Sequence, residues 1–403
     1  MEIFVARQPI FTTRKTIFGY ELLFRQGFEN IFPDIDGDTA TSNILSNTFF
    51  SFEINEITGN RPALINFTKK LILQKTPLLF PYRRIIIEVL ENIEPEPEII
   101  AALNEFKSKG FTIALDDFIY HEKFAPMMKL CRIIKFDIIA TPLETLETII
   151  KDIKADYNIM LLAEKVETYQ EFQLAQQMGF TLFQGYFFAK PEILSKKDIS
   201  AVHITRLKLI NETGRSDPDL EKIENLIKKD VSVAFKLLKF INSAYFKRPT
   251  PINTIRDAIT YLGTDELKKF INVIAVSDLS RGKPNELVRS AVIRARMCEQ
   301  CADIFTTDFT GEELFTLGLF SVIDAMLDNE MEEILKNIAF SPKIKNALMG
   351  RDKGFNKILD IVVNFEQGRW DNAFYAVMSN TSAERKLPEF YFDAVRMSGS
   401  FFD

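Results

Sequence analysis

Residues 85–117 read IIIEVLENIEPEPEIIAALNEFKSKGFTIALDD. Ile85-Ile86-Ile87 is a short β-branched run that ends on Glu88, with Glu91 three residues on. Phe111 to Leu115 is a second run, ending on Asp116-Asp117. Between them, Glu98 to Lys109 carries Ile99, Ala102, Leu103 and Phe106 at helical spacing, and Gly110 falls where a C-cap belongs. Strand, amphipathic helix and strand in that order predict a parallel unit.

The unit recurs through the first half. Further strand-like runs are Ile17 to Phe24, Ala63 to Phe67, Ile133 to Phe136, Ile159 to Leu162 and Thr181 to Phe183. Gln170 to Met178 repeats the helical design and is again followed by a glycine, Gly179. Repetition of this kind implies a parallel α/β sheet or a (β/α) barrel.

The polar residues of these runs sit at their ends: Glu21, Asn66, Glu88, Asp116, Asp117, Lys135, Asp137, Glu164 and Gln184. One carboxylate at a strand end ordinarily faces solvent or caps the next helix. A series of them in register is different, because the C-terminal strand ends of a barrel converge on one mouth. Six carboxylates sharing that volume with one lysine would repel one another and hold protons more tightly than usual unless a counter-charge is supplied. Oxygen ligands with an asparagine amide favour a hard divalent cation such as Mg²⁺ or Mn²⁺. Two such ions about 4 Å apart suit phosphodiester hydrolysis by an activated water.

The second half predicts an all-α bundle of about 185 residues. Ser216-Asp217-Pro218 reads as a helix start. Leu220, Ile223, Leu226 and Ile227 line one helical face, and Val231, Ala234, Leu237, Leu238 and Ile241 line the next. Further helices are expected at Thr264 to Leu279, Asn285 to Phe305, Glu312 to Leu327 and Asn356 to Met378. A polar break at Ser195-Lys196-Lys197-Asp198 divides the chain into residues 1–194 and 195–403, with a connector over about 195–215.

Composition narrows the function. The chain has 403 residues, 46% hydrophobic and 26% charged, as expected of globular domains with cores. A net charge of −6 argues against double-stranded DNA as a partner. No secretory leader and no apolar run long enough to span a membrane is visible, and three cysteines suit a reducing compartment, so a cytoplasmic location is expected. The two histidines, His121 and His203, cannot by themselves build a histidine-rich zinc site. Cys298-Glu299-Gln300-Cys301, without a second pair, reads as a packed helix face, and Trp370 as packing for the last helices.

The strand-end motifs resemble those of the EAL family. They run as Glu21-Leu22-Leu23-Phe24-Arg25, Ile65-Asn66-Phe67-Thr68, Glu88-Val89-Leu90-Glu91, Leu115-Asp116-Asp117-Phe118, Ile134-Lys135-Phe136-Asp137, Ala163-Glu164-Lys165-Val166-Glu167 and Gln184-Gly185-Tyr186-Phe187-Phe188. The resemblance covers residues 5 to 191. From Asp230-Val231 through Leu262-Gly263, including Ile241-Asn242-Ser243-Ala244-Tyr245, the second half resembles the HDOD family, over about residues 205 to 403. The order of the two resembles the bacterial signal-transduction class of YuxH-like proteins.

The resemblance implies a TIM-like barrel of EAL type with one strand reversed, followed by an all-α helical HDOD domain. It implies hydrolysis of the bacterial second messenger cyclic di-GMP to pGpG with Mg²⁺ or Mn²⁺. Glu21, Asn66, Glu88 and Asp116 would bind metal, Asp117 would be shared or sit on a second ion, and Asp137 would support that second site. Lys135 would polarise the attacking water and Glu164 would act as its base. Arg25 would meet a substrate phosphate, Gln184 would line the pocket, and Glu91 and Glu167 would hold loops or ligands in place. The HDOD half, which resembles HD phosphohydrolases without their metal dyad, would bind a protein partner or transmit a conformational change, and a homodimer is conceivable. Two departures bear on turnover. Ile119-Tyr120-His121-Glu122-Lys123 replaces the family's Gly-Thr-Gly-type loop, and Lys165 replaces its glycine. They leave open a receptor that binds cyclic di-GMP without hydrolysing it, or a protein-interaction scaffold.

Overall fold

The computed structural model describes residues 4–25, 54, 57–187, 212, 219–228, 230–246, 250–280, 283–336, 338, 340–369, 373 and 381–402. The chain divides into two compact units, residues 1–187 and 188–403.

The first unit is a closed eight-stranded barrel. Its strands are β1 (Phe4–Thr12), β2 (Ile17–Arg25), β3 (Ala63–Phe67), β4 (Ile85–Val89), β5 (Thr112–Leu115), β6 (Ile133–Asp137), β7 (Met160–Glu164) and β8 (Leu182–Gln184). Strands β2 to β8 pair in parallel sequence, and β1 closes the barrel antiparallel to both β2 and β8. This is the expected TIM-like barrel with one reversed strand. The sequence runs did not include β1, whose Arg7-Gln8-Pro9 centre breaks the apolar pattern. Tertiary pairing makes it a strand: a tight turn joins it to β2, with the Thr12 amide bonded to the Thr16 carbonyl at 2.8 Å. Arg7 is accommodated in the interior because its guanidinium lies 4.5 Å from the centre of the Tyr20 ring.

Helices α1 (Lys69–Leu73), α2 (Pro97–Ser108), α3 (Ala125–Met128), α4 (Leu143–Asp156) and α5 (Tyr169–Met178) connect successive strands. In α2, Ile99, Ala102, Leu103 and Phe106 are the buried face, as their spacing predicts. A reciprocal Thr168–Glu171 capping box starts α5, and Gly179 ends it in the left-handed conformation at φ 100°.

The period of two along each strand decides where the polar residues point. Ile10, Leu64, Ile86, Ala114, Ile133, Leu162 and Leu182 form one buried layer inside the barrel. Two residues beyond that layer on their strands stand Asn66, Glu88, Asp116, Lys135, Glu164 and Gln184. On the antiparallel pair, Gln8 and Glu21 face each other at the same level.

The second unit is all-α among the described residues. Its helices are α6 (Leu220–Lys228), α7 (Val231–Ile241), α8 (Ile255–Leu279), α9 (Asn285–Cys301), α10 (Gly311–Phe320), α11 (Ile323–Leu327), α12 (Met331–Lys336), α13 (Pro342–Leu348), α14 (Lys353–Glu366) and α15 (Thr381–Phe402). Helix α8 contains a break at Gly263 (φ 69°, ψ 179°), so the helix expected from Thr264 is its second segment. The single helix expected over Glu312 to Leu327 is two. Ser321 turns its hydroxyl onto the Gly318 carbonyl at 2.8 Å, and Val322 leaves helical geometry. The helix expected from Asn356 begins earlier, because the Asp352 side chain accepts the Phe355 amide at 2.9 Å. The Ser216-Asp217-Pro218 start, His203, Trp370 and almost all of the connector lie outside the described residues.

Helix α9 is buried nearly all round and forms the centre of this unit. Cys298 and Cys301 lie on it, fully buried, which agrees with the packed-face reading, and burial pushes the Cys298 thiol up to about 12. Arg294 projects from α9 into the interior, where two of its nitrogens bond Glu366 Oε2 at 3.1 and 2.8 Å. Helix α10 crosses α9 at Gly318, where a β-carbon would lie 2.7 Å from Ala295 Cα. Replacing Glu366 with Ala strands a buried guanidinium and should cost about 3–5 kcal/mol. Gly318→Ala forces the helices apart and should cost about 1–3 kcal/mol. Urea unfolding of the full chain, followed by circular dichroism, measures both.

Candidate active site

The barrel mouth is organised around one buried ammonium. Lys135 Nζ lies 2.6 Å from Asp116 Oδ1, 2.7 Å from Glu88 Oε1, 2.9 Å from Glu164 Oε1 and 3.4 Å from Glu21 Oε2. Its side chain is 1% exposed, and that of Glu88 is 0% exposed. β6 delivers the lysine, while β2, β4, β7 and the first residue after β5 deliver the carboxylates.

Burial pushes the Glu88 carboxyl well above the usual carboxylate range; Lys135 pulls it back, and Glu21 and Asp116 push it further up. Glu164 is raised in the same way, by burial first and by the charges of Asp116 and Glu21, against Lys135. Burial disfavours the Lys135 cation, but its carboxylates prevail and hold it well above the ordinary amine value. Four carboxyl groups thus share one cation at the mouth.

Two amides orient Glu21. Asn66 Nδ2 donates to Glu21 Oε1 at 3.4 Å, and Gln184 Nε2 donates to Glu21 Oε2 at 2.6 Å and to Gln8 Oε1 at 2.7 Å. Three acceptors at this side, Asn66 Oδ1, Glu88 Oε2 and Gln184 Oε1, are buried and have no hydrogen-bond donor among the described residues. Such atoms are costly unless a ligand satisfies them. Asp116, Asp117 and Glu164 each offer an oxygen, all within 4.8 Å of one another. Asp117 reaches this group from a left-handed backbone at φ 37°, and burial followed by the Asp116 charge raises its carboxyl. Clustered oxygen donors and orphaned buried acceptors together fit a hard divalent cation.

Asp137 lies at the other side and is fully engaged. Its Oδ1 accepts the Ile139 and Ala140 amides at 2.8 and 3.1 Å, and its Oδ2 meets Lys165 Nζ in a close ion pair. Burial works against the charged form, yet Lys165 and the two amides hold Asp137 below its ordinary value. Gln184 is followed by Gly185 for a steric reason: at φ 144°, a β-carbon there would fall 2.1 Å from the Val166 carbonyl oxygen.

Among the remaining expected residues, Arg25 closes β2, and its side chain is outside the described set. Glu91 is exposed and lines a cavity of about 110 Å³ together with Asp116, Asp117 and Phe118. Glu167 is exposed on the turn into α5, its amide bonded to Glu171 Oε2 at 2.8 Å. The altered loop is anchored: Lys123 pairs with Glu94 at 2.8 Å, and Phe118 packs edge-on to Phe124. His121 is exposed and accepts the Lys123 amide on Nδ1 at 3.1 Å. Sequence reasoning missed Gln8, which becomes visible only once β1 is counted as a strand in register with Glu21.

A closed barrel with one reversed strand and an acidic, lysine-centred mouth defines the EAL class of domain. A family model for the EAL domain matches residues 39–191, and one for the HDOD domain matches residues 200–340. The uncharacterized protein YuxH of Bacillus subtilis strain 168 is 32% identical over 411 aligned positions, covering 100% of both chains. The cyclic di-GMP phosphodiesterase CdgJ of Vibrio cholerae serotype O1 is 34% identical over 369 positions, covering 91% of this chain and 85% of that one. A solved structure of a standalone EAL protein from Vibrio cholerae O395, in its c-di-GMP-bound form, is 26% identical over 48% of this chain and 93% of its own, with a TM-score of 0.36. The chain belongs to the family that joins an EAL domain to an HDOD domain.

Replacing Lys135 with Met removes the cation shared by four carboxylates. The variant should lose about 3–5 kcal/mol of stability at neutral pH in the presence of a chelator. Its buried carboxyls bind protons more tightly folded than unfolded, so that loss should shrink as pH falls from 7 towards 5. Thermal unfolding across that range tests both.

Proposed function

We propose that the barrel hydrolyses cyclic di-GMP to linear pGpG with a water activated by Mg²⁺ or Mn²⁺. The observation that carries this reading is the buried Lys135 cluster beside three orphaned acceptors. Glu21, Asn66, Glu88 and Asp116 would hold the ion, with Asp117 shared, and Asp137 would join a second ion only by releasing Lys165. When bound, the ion supplies Lewis acidity and lowers the pKa of its water.

This chain's own residues do the rest. Glu164, whose carboxylate lies 2.9 Å from Lys135 at the barrel mouth, takes the proton from the attacking water. Lys135 keeps the carboxylates together and polarises the attacking water. Arg25 pairs with a substrate phosphate, Gln184 binds within the pocket, and Glu91 and Glu167 steady the neighbouring loops.

We place the functional boundary at residues 1–194 and 195–403. The HDOD half is read as non-catalytic, regulating the barrel or docking a protein partner in the cytoplasm, with a homodimer as one arrangement. The HDOD family match over residues 200–340 supports the assignment of that half. No helix among the described residues is long and apolar enough to cross a membrane. A second reading, a receptor that binds the nucleotide without turnover, is favoured by the engagement of Asp137 with Lys165.

Release of pGpG by the purified full chain, followed chromatographically, separates the readings. Turnover should require Mn²⁺ or Mg²⁺, stop with chelator and fall about 10²–10⁴-fold in Glu164→Ala. Calorimetric binding without release would establish the receptor instead, and absence of binding would exclude both.

A further inference from the structure

The two sides of the barrel mouth differ in how far their acceptors are satisfied. Around Glu21, three buried oxygens lack donors: Asn66 Oδ1, Glu88 Oε2 and Gln184 Oε1. Around Asp137 both carboxylate oxygens are taken, one by two backbone amides and the other by the Lys165 ammonium. The Lys165 charge also acts on Asp117 and Glu164, so it is felt across the second side as a whole. Nor is this lysine casually placed. Its backbone is left-handed at φ 56°, a conformation that side chains beyond Gly, Asn and Asp adopt uncommonly. It is held there by its neighbours: the Val166 amide bonds the Gln184 carbonyl at 3.0 Å, and Glu164 before it bonds Lys135.

We infer that Lys165 is a tethered cation that stands in for a second divalent ion, so that this barrel takes one metal ion rather than two. The inference rests on the metal reading of the mouth proposed above. A second ion would have to displace an ammonium from Asp137 and then sit beside that like charge. The ammonium, covalently attached, competes at every ion concentration, as any tethered ligand does. Asp137 then serves as the counter-ion that fixes Lys165 over Asp117 and Glu164.

Ion counting tests this without relying on activity. Full-length protein stripped with chelator is titrated with Mn²⁺ alone; equilibrium dialysis gives the number bound, and electron paramagnetic resonance distinguishes an isolated ion from a coupled pair. One isolated ion is expected for the native chain and for Lys165→Arg. Two coupled ions are expected for Lys165→Gly and Lys165→Asn, both compatible with a left-handed backbone, with circular dichroism verifying their folding. Two ions in the native chain, or one in every folded variant, would overturn the inference. No bound ion in any form would remove the metal reading itself, and the inference with it.

Discussion

Everything at the barrel mouth depends on a single ammonium shared by four buried carboxylates. Lys135 lies within 3.4 Å of oxygens from Glu21, Glu88, Asp116 and Glu164. Without that cation these strand ends would repel one another in a medium that screens poorly. With it they remain together around one buried ammonium. The same contact holds residues from separate strand ends together at one mouth.

The two units answer the problem of buried charge in different ways. In the barrel, four carboxyl groups converge on the single ammonium of Lys135. In the helical unit, Arg294 and Glu366 form a buried pair on central helices, with the Ser321 hydroxyl 3.3 Å from the guanidinium. A paired interior charge fixes how helices register, whereas an under-compensated one invites a ligand.

Much of the barrel was legible because its strands are buried on both faces and read as apolar runs. Glu88, Asp116 and Glu164 stood out as carboxylates ending such runs. β1 did not, because Arg7, Gln8 and Pro9 are polar or helix-breaking and only pairing with β2 and β8 makes them a strand. Gln8 was lost with it. In the helical half, Glu312 to Leu327 carried continuous periodicity, but periodicity does not register a serine that turns its hydroxyl onto its own helix.

By itself the sequence determined the strand–helix alternation, the residue types at the strand ends and the change to helices in the second half. These follow from local periodicity and capping, which act over a few residues. Only the tertiary structure decided which polar groups meet. Lys135 and Glu21 are more than a hundred positions apart and become neighbours because the barrel closes. Lys165 shows in the sequence only as a departure from the family's glycine, and it gains its partner when β6 and β7 lie side by side and bring Asp137 to it. Electrostatic partnership depends on distance in space, and no pattern along the chain encodes that distance directly.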